Sequence, residues 1–165
     1  MTDFTIRANP ILPHAGIVED NYDLAHMYKY ALKEAGYFVE IISNGSKALK
    51  HLKSVSPRLL LLDLHLPEVD GGTILSSLKD SPAYEDTKIF MVSTSSSLQR
   101  LFGDQVDMVL EKPISVKMLT ELASRYHPER MKRNENEMYL TKEPAQQATS
   151  DGTKGLLERF WGHLR

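Results

Sequence analysis

Short apolar runs alternate along this chain with segments whose apolar residues recur at steps of three and four, the signatures of buried strands and amphipathic helices. The runs are Gly16-Ile17-Val18, Phe38-Val39-Glu40-Ile41-Ile42, Leu59-Leu60-Leu61-Leu62, Ile89-Phe90-Met91-Val92 and Met108-Val109-Leu110. Four consecutive leucines predict a strand covered on both faces, as central parallel strands are. Glu40 in mid-run predicts a strand with one wetter face, and Pro13-His14-Ala15-Gly16 is a poor β sequence for the first. The first helix carries Leu24, Met27, Tyr28, Ala31, Leu32 and Ala35 and stops at Gly36. Asn44-Gly45-Ser46 turns into a short helix with Ala48, Leu49 and Leu52. A loop with Pro67, Asp70, Gly71 and Gly72 precedes a helix through Ile74, Leu75 and Leu78, which stops near Pro82. The run Ser93-Thr94-Ser95-Ser96-Ser97 can cap a helix presenting Leu98, Leu101 and Phe102, and Ser115 caps a last one with Leu119, Leu122, Ala123 and Tyr126. Five such βα units predict a doubly wound α/β fold, a five-stranded parallel sheet with helices on both faces.

Beyond Pro128 the pattern changes. We expect a compact domain over residues 10–127, a polar linker or tail over 128–154, and a short amphipathic helix over 155–165. In that last segment Leu156, Leu157, Phe160, Trp161 and Leu164 share a face, which is expected to fold back on the domain. The 165 residues have a formal net charge of -2, so no overall field draws the chain to nucleic acid or an anionic membrane. The absence of cysteine excludes disulfides, thiolate metal sites and a Cys nucleophile. No apolar stretch is long enough to span a bilayer, and Met1-Thr2-Asp3-Phe4 does not open a signal peptide, so a cytoplasmic location is expected.

Chemistry concentrates where the apolar runs end. Glu19 and Asp20 follow the first, Asp63 the third, Ser93 the fourth, and Lys112 comes shortly after the fifth. Open α/β sheets bind their ligands at the carboxyl ends of the strands. Three carboxylates gathered there repel unless a cation or proton intervenes, and an all-oxygen donor set suits Mg²⁺. Lys112 offers a compact positive charge and Ser93 a hydroxyl donor for a phosphate oxygen. His65 is expected to point outward beside the site, and the other five histidines show no ligand spacing.

The order Glu19-Asp20-Asn21, Leu62-Asp63-Leu64-His65-Leu66-Pro67, Asp70-Gly71, Val92-Ser93 and Lys112-Pro113 resembles the response-regulator receiver domain of two-component signalling, over roughly residues 12–127. The resemblance implies a flavodoxin-like (βα)5 fold with strand order 2-1-3-4-5. It also implies that Asp63 accepts a phosphoryl group from a histidine kinase or histidine phosphotransfer protein. Glu19, Asp20, Asp63 and the backbone carbonyl of His65 would hold Mg²⁺, with Ser93 as switch hydroxyl and Lys112 paired to the phosphate. The Lys112-Pro113 bond would be cis.

Two positions depart from the family's habit. Val109 stands where the fifth strand often carries Tyr or Phe, so signalling to the face of the last two helices is expected to weaken or to run through other groups. Thr94 stands where a small residue is usual, and its bulk is expected to restrict small phosphodonors. Output is expected through a downstream protein partner or a homodimer, because the tail is too short for a helix-turn-helix domain and has no basic recognition helix. Two other readings compete. One is a pseudo-receiver scaffold that ignores phosphate. The other is a haloacid-dehalogenase-type phosphatase, which would need a second Asp where this chain has His65.

Overall fold

The structure, a computed structural model, describes residues 12–95 and 98–133. Its strands are β1 (His14–Val18), β2 (Phe38–Ile42), β3 (Leu59–Asp63), β4 (Lys88–Ser93) and β5 (Met108–Glu111). Its helices are α1 (Tyr22–Glu34), α2 (Gly45–His51), α3 (Gly71–Lys79), α4 (Leu98–Phe102) and α5 (Val116–Arg125). All strands pair in parallel in the order β2-β1-β3-β4-β5, as expected.

Side chains alternate along each strand, so the sheet sorts its residues into two layers. Ala15, Ile17, Leu59, Leu61, Phe90, Val92 and Leu110 face α1 and α5, where Tyr28, Ala31, Leu32, Leu119 and Ala123 meet them. Val18, Leu60, Leu62, Ile89 and Met91 face α2 and α3, against Ala48, Leu52, Ile74, Leu75 and Leu78. The leucines of β3 are all buried, and each contributes on the order of 2 kcal/mol. This two-sided cover also explains β1. His14–Val18 pair with β2, and all but His14 pair with β3, so tertiary pairing overrides the weak β preference of His14-Ala15-Gly16.

Helix ends follow local chemistry. Asn21, Asn44, Asp70 and Ser115 cap α1, α2, α3 and α5, each side chain accepting an N–H from the first turn. Gly36, at φ 93°, takes the left-handed conformation just past α1. Edge strand β2 leaves Phe38 63% exposed, and the half-exposed Glu40 carboxylate lies 2.9 Å from His51 Nε2 and 3.4 Å from His14 Nε2.

Two expectations change. Leu101, one of the apolar residues expected on the helix after Ser93–Ser97, is 61% exposed on a five-residue α4, while Phe102 makes the core contact. Residues 128–133, expected to open the linker, are helical. Contacts divide the chain after Met131, and the following unit lies almost wholly outside the described residues. Ser96, Ser97, residues 134–154 and the expected 155–165 helix lie outside them too. Among the described residues no helix is long and apolar enough to cross a membrane.

Candidate functional site

The buried polar and charged residues of the described chain are Glu19, Asp63, Thr87 and Ser93. Thr87 is accounted for by a hydrogen bond from its Oγ1 to the Pro57 carbonyl at 2.6 Å. The other three stand together at the carboxyl edge of the sheet, and strand pairing puts them there. The Glu19 N–H donates to the Ile42 carbonyl at 3.2 Å, Leu64 N–H to Val92 at 2.9 Å, and Lys112 N–H to Ser93 at 2.8 Å. Alternation then fixes the direction of each side chain. Glu19 continues the face of Ile17, Asp63 that of Leu61 and Lys112 that of Leu110, so the charged groups crown the α1/α5 layer. Ser93 continues the opposite face, after Ile89 and Met91.

Lys112 holds this group together. Its Nζ donates to Glu19 Oε2 and to Asp63 Oδ2, both at 2.8 Å, with the lysine side chain 13% exposed. Burial disfavours the ammonium, but the hydrogen bonds to Asp63 and Glu19 outweigh it and raise Lys112 above its ordinary value. Burial pushes the Glu19 carboxyl up; the Lys112 hydrogen bond pulls it down, neighbouring Asp63 pushes it up, and the balance stays upward. Two backbone donors complete the shell, Asn21 N–H to Glu19 Oε1 at 3.3 Å and His65 N–H to Asp63 Oδ1 at 3.1 Å. The Lys112-Pro113 peptide is cis.

Glu19, Asp20 and Asp63 each offer a carboxylate oxygen, and these lie within 4.8 Å of one another, with Asp20 exposed toward solvent. Such a set of hard oxygen donors fits Mg²⁺, which binds through few carboxylates and keeps waters. Ser93 is fully buried, and its Oγ accepts the Ser95 N–H at 3.2 Å. Thr94 and the side chain of His65 are exposed. Val109 packs in the α2/α3 layer with Phe102 and Val106.

The loop after β3 closes the site from beside it. Gly71 N–H donates to the Leu64 carbonyl at 2.9 Å, and a Cβ at Gly71 would strike the carbonyl oxygen of Asp63. Only glycine fits there. Glu68 adopts φ 67° and accepts a hydrogen bond from Asn44 Nδ2 at 3.0 Å. Sequence reasoning missed this bridge, the double engagement of Lys112, and Tyr28, whose hydroxyl lies buried in the layer under the charges. Helical spacing identified Tyr28 as core and carried no signal about its hydroxyl.

A family model described as the response regulator receiver domain matches residues 16–124. The chain belongs to that family. The transcriptional regulatory protein TrcR of Mycobacterium tuberculosis is 34% identical over 111 residues, which span 66% of this chain and 42% of TrcR. The probable methanogenesis regulatory protein FilR2 of Methanothrix harundinacea is 34% identical over 110 residues, 60% of this chain and 71% of FilR2. A CheY-like receiver domain from Methylobacillus flagellatus superposes with a TM-score of 0.64 at 26% identity, covering 70% of this chain and 99% of that one. The chemotaxis response regulator CheY4 of Vibrio cholerae, at 24% identity and a TM-score of 0.63, shares the fold. This receiver domain is therefore a component of two-component phosphorylation signalling. The aligned segment covers less than half of TrcR, so TrcR's activity as a whole protein does not transfer with the match.

Proposed function

We propose that Asp63 accepts a phosphoryl group from a histidine kinase or histidine phosphotransfer protein, and that the phosphorylated state is read through protein contacts. The observation that carries this reading is a buried carboxylate, Asp63, 4% exposed by side chain, accepting a hydrogen bond from Lys112 Nζ at 2.8 Å beside two further carboxylates at the ligand edge of the sheet. An Asp63 carboxylate oxygen attacks phosphorus, an O–P bond forms, the N–P bond to the donor imidazole breaks, and that imidazole nitrogen keeps the electron pair. Glu19, Asp20, Asp63 and the His65 carbonyl would hold Mg²⁺, which when bound offsets the negative charge gathered on carboxylates and phosphoryl oxygens. Lys112 exchanges a carboxylate oxygen for a phosphoryl oxygen. Ser93 donates its hydroxyl to another.

In this reading the protein is a switch with no substrate turnover of its own, acting in the cytoplasm. Its output is a partner protein or a second copy rather than nucleic acid.

Intact mass after incubation with acetyl phosphate and Mg²⁺ tests the acceptor chemistry. One added phosphoryl group is expected, absent with Asp63→Asn and absent without metal. An adduct that survives in Asp63→Asn would assign the acceptor elsewhere. Failure with a small donor and also with a phosphorylated histidine phosphotransfer protein would leave a phosphate-independent scaffold.

A further inference from the structure

Tyr28 is 1% exposed, in the α1/α5 layer with Ile17, Leu61 and Leu110, the residues directly below Glu19, Asp63 and Lys112 on the same sheet face. Its hydroxyl makes no hydrogen bond, and among the described residues no other buried side-chain polar atom is in that position. Native folds rarely leave a buried hydroxyl unpaired, because its lost hydration goes uncompensated. Other buried tyrosines obey this rule: Tyr37 donates to the Ala123 carbonyl at 3.2 Å, and Tyr84 to those of Leu52 and Val55. Burial raises the Tyr28 phenol above its ordinary value, keeping it a donor, and the charges acting on it are those of Lys112, Glu19 and Asp63.

The complementary need lies just above. Glu19 is 2% exposed; its Oε1 takes the Asn21 N–H, and its Oε2 takes Lys112 Nζ. When Lys112 turns to a phosphoryl oxygen, Oε2 loses that donor; a Mg²⁺ held by Glu19 would take one lone pair of the carboxylate and leave another open, and ligating carboxylates are themselves hydrogen-bonded in turn. We propose that the Tyr28 hydroxyl is a positioning group for the phosphorylated state, donating to Glu19 Oε2 in place of Lys112. The unpaired hydroxyl of the unphosphorylated chain is then a donor held in reserve. It acts through Glu19 and touches no reacting atom.

This inference rests on the phosphoacceptor reading, and Tyr28→Phe separates the two. Wild type and variant are melted without ligand and then titrated with beryllofluoride and Mg²⁺. Without ligand, Tyr28→Phe should melt at the wild-type temperature or above it, since no hydrogen bond is lost. Its beryllofluoride affinity should fall about tenfold, the size expected for one hydrogen bond to a charged group. Equal affinities would overturn the inference alone, as would a lower unliganded melting temperature, which would mean the hydroxyl already has a partner. A wild-type chain that accepts neither beryllofluoride nor a phosphoryl group would overturn the phosphoacceptor reading and this inference with it.

Discussion

Replacing Lys112 with methionine keeps most of the side-chain volume and deletes the one cation between two buried carboxylates. The gross terms are large: at an effective dielectric constant of about 20, unit charges 2.8 Å apart attract with about 6 kcal/mol, and Lys112 makes two such contacts. Against this stand the burial of three ionised groups and the repulsion of carboxylate oxygens lying within 4.8 Å. Breaking a buried ion pair by removing one partner typically costs about 3–5 kcal/mol, and we expect the lower end, about 3 kcal/mol, because the exposed edge admits water and protons. The loss must depend on pH. Glu19 already titrates above its ordinary value, and without Lys112 it rises further. A carboxyl with a higher folded than unfolded value takes up a proton on folding, so stability is lost as pH rises from the unfolded value through the folded one. Urea unfolding of Lys112→Met in EDTA should therefore show the full deficit at pH 8 and recover much of it near pH 4.5; Mg²⁺ at pH 8 should restore part as well. A deficit constant from pH 4.5 to 8 and indifferent to Mg²⁺ would refute the electrostatic account and leave only lost packing.

The wild type should lose stability at alkaline pH as Lys112 deprotonates. Its folded value is raised, so its contribution is complete below the unfolded value of about 10.5 and disappears as pH rises through the folded one; Lys112→Met should show a shallower limb in a denaturant–pH series, the remainder coming from the buried phenols of Tyr28, Tyr37 and Tyr84, which burial also raises. Tyr84→Phe should cost about 1–2 kcal/mol by thermal unfolding, because the Leu52 and Val55 carbonyls lose their hydroxyl donor. Ser115→Ala should cost about 1 kcal/mol through loss of the α5 cap, with phosphoryl uptake measured by intact mass unchanged. Gly71→Ala should reduce phosphoryl uptake as well as stability, since its methyl group displaces the Asp63 carbonyl at the end of β3.

Much of this architecture was legible because hydrophobic periodicity carries it. Leu59–Leu62 read as a buried strand, and the order of residues ending the runs gathered Glu19, Asp20, Asp63, Ser93 and Lys112 at one edge. Other features were not legible, for specific reasons. Leu101 has helical spacing, but a five-residue α4 ended near Gly103 turns it to solvent. His14-Ala15-Gly16 lacks β preference, yet pairing on both sides makes it a strand. The double grip of Lys112 depends on three side chains far apart in sequence, which spacing cannot report. Tyr28 reads as an ordinary core aromatic until the environment of its hydroxyl is known.

The sheet sorts its buried side chains into two apolar compartments whose members do not overlap. Energetic effects of truncation should respect that wall. Leu61→Ala and Leu60→Ala are chain neighbours but empty opposite compartments, so their losses should sum with little interaction energy, whereas Leu61→Ala and Leu32→Ala share one cavity region and should not. The carboxyl edge is the exception. There Glu19, Asp63 and Lys112 rise from one compartment and Ser93 from the other. A single group added at that edge bears on both halves of the interior at once.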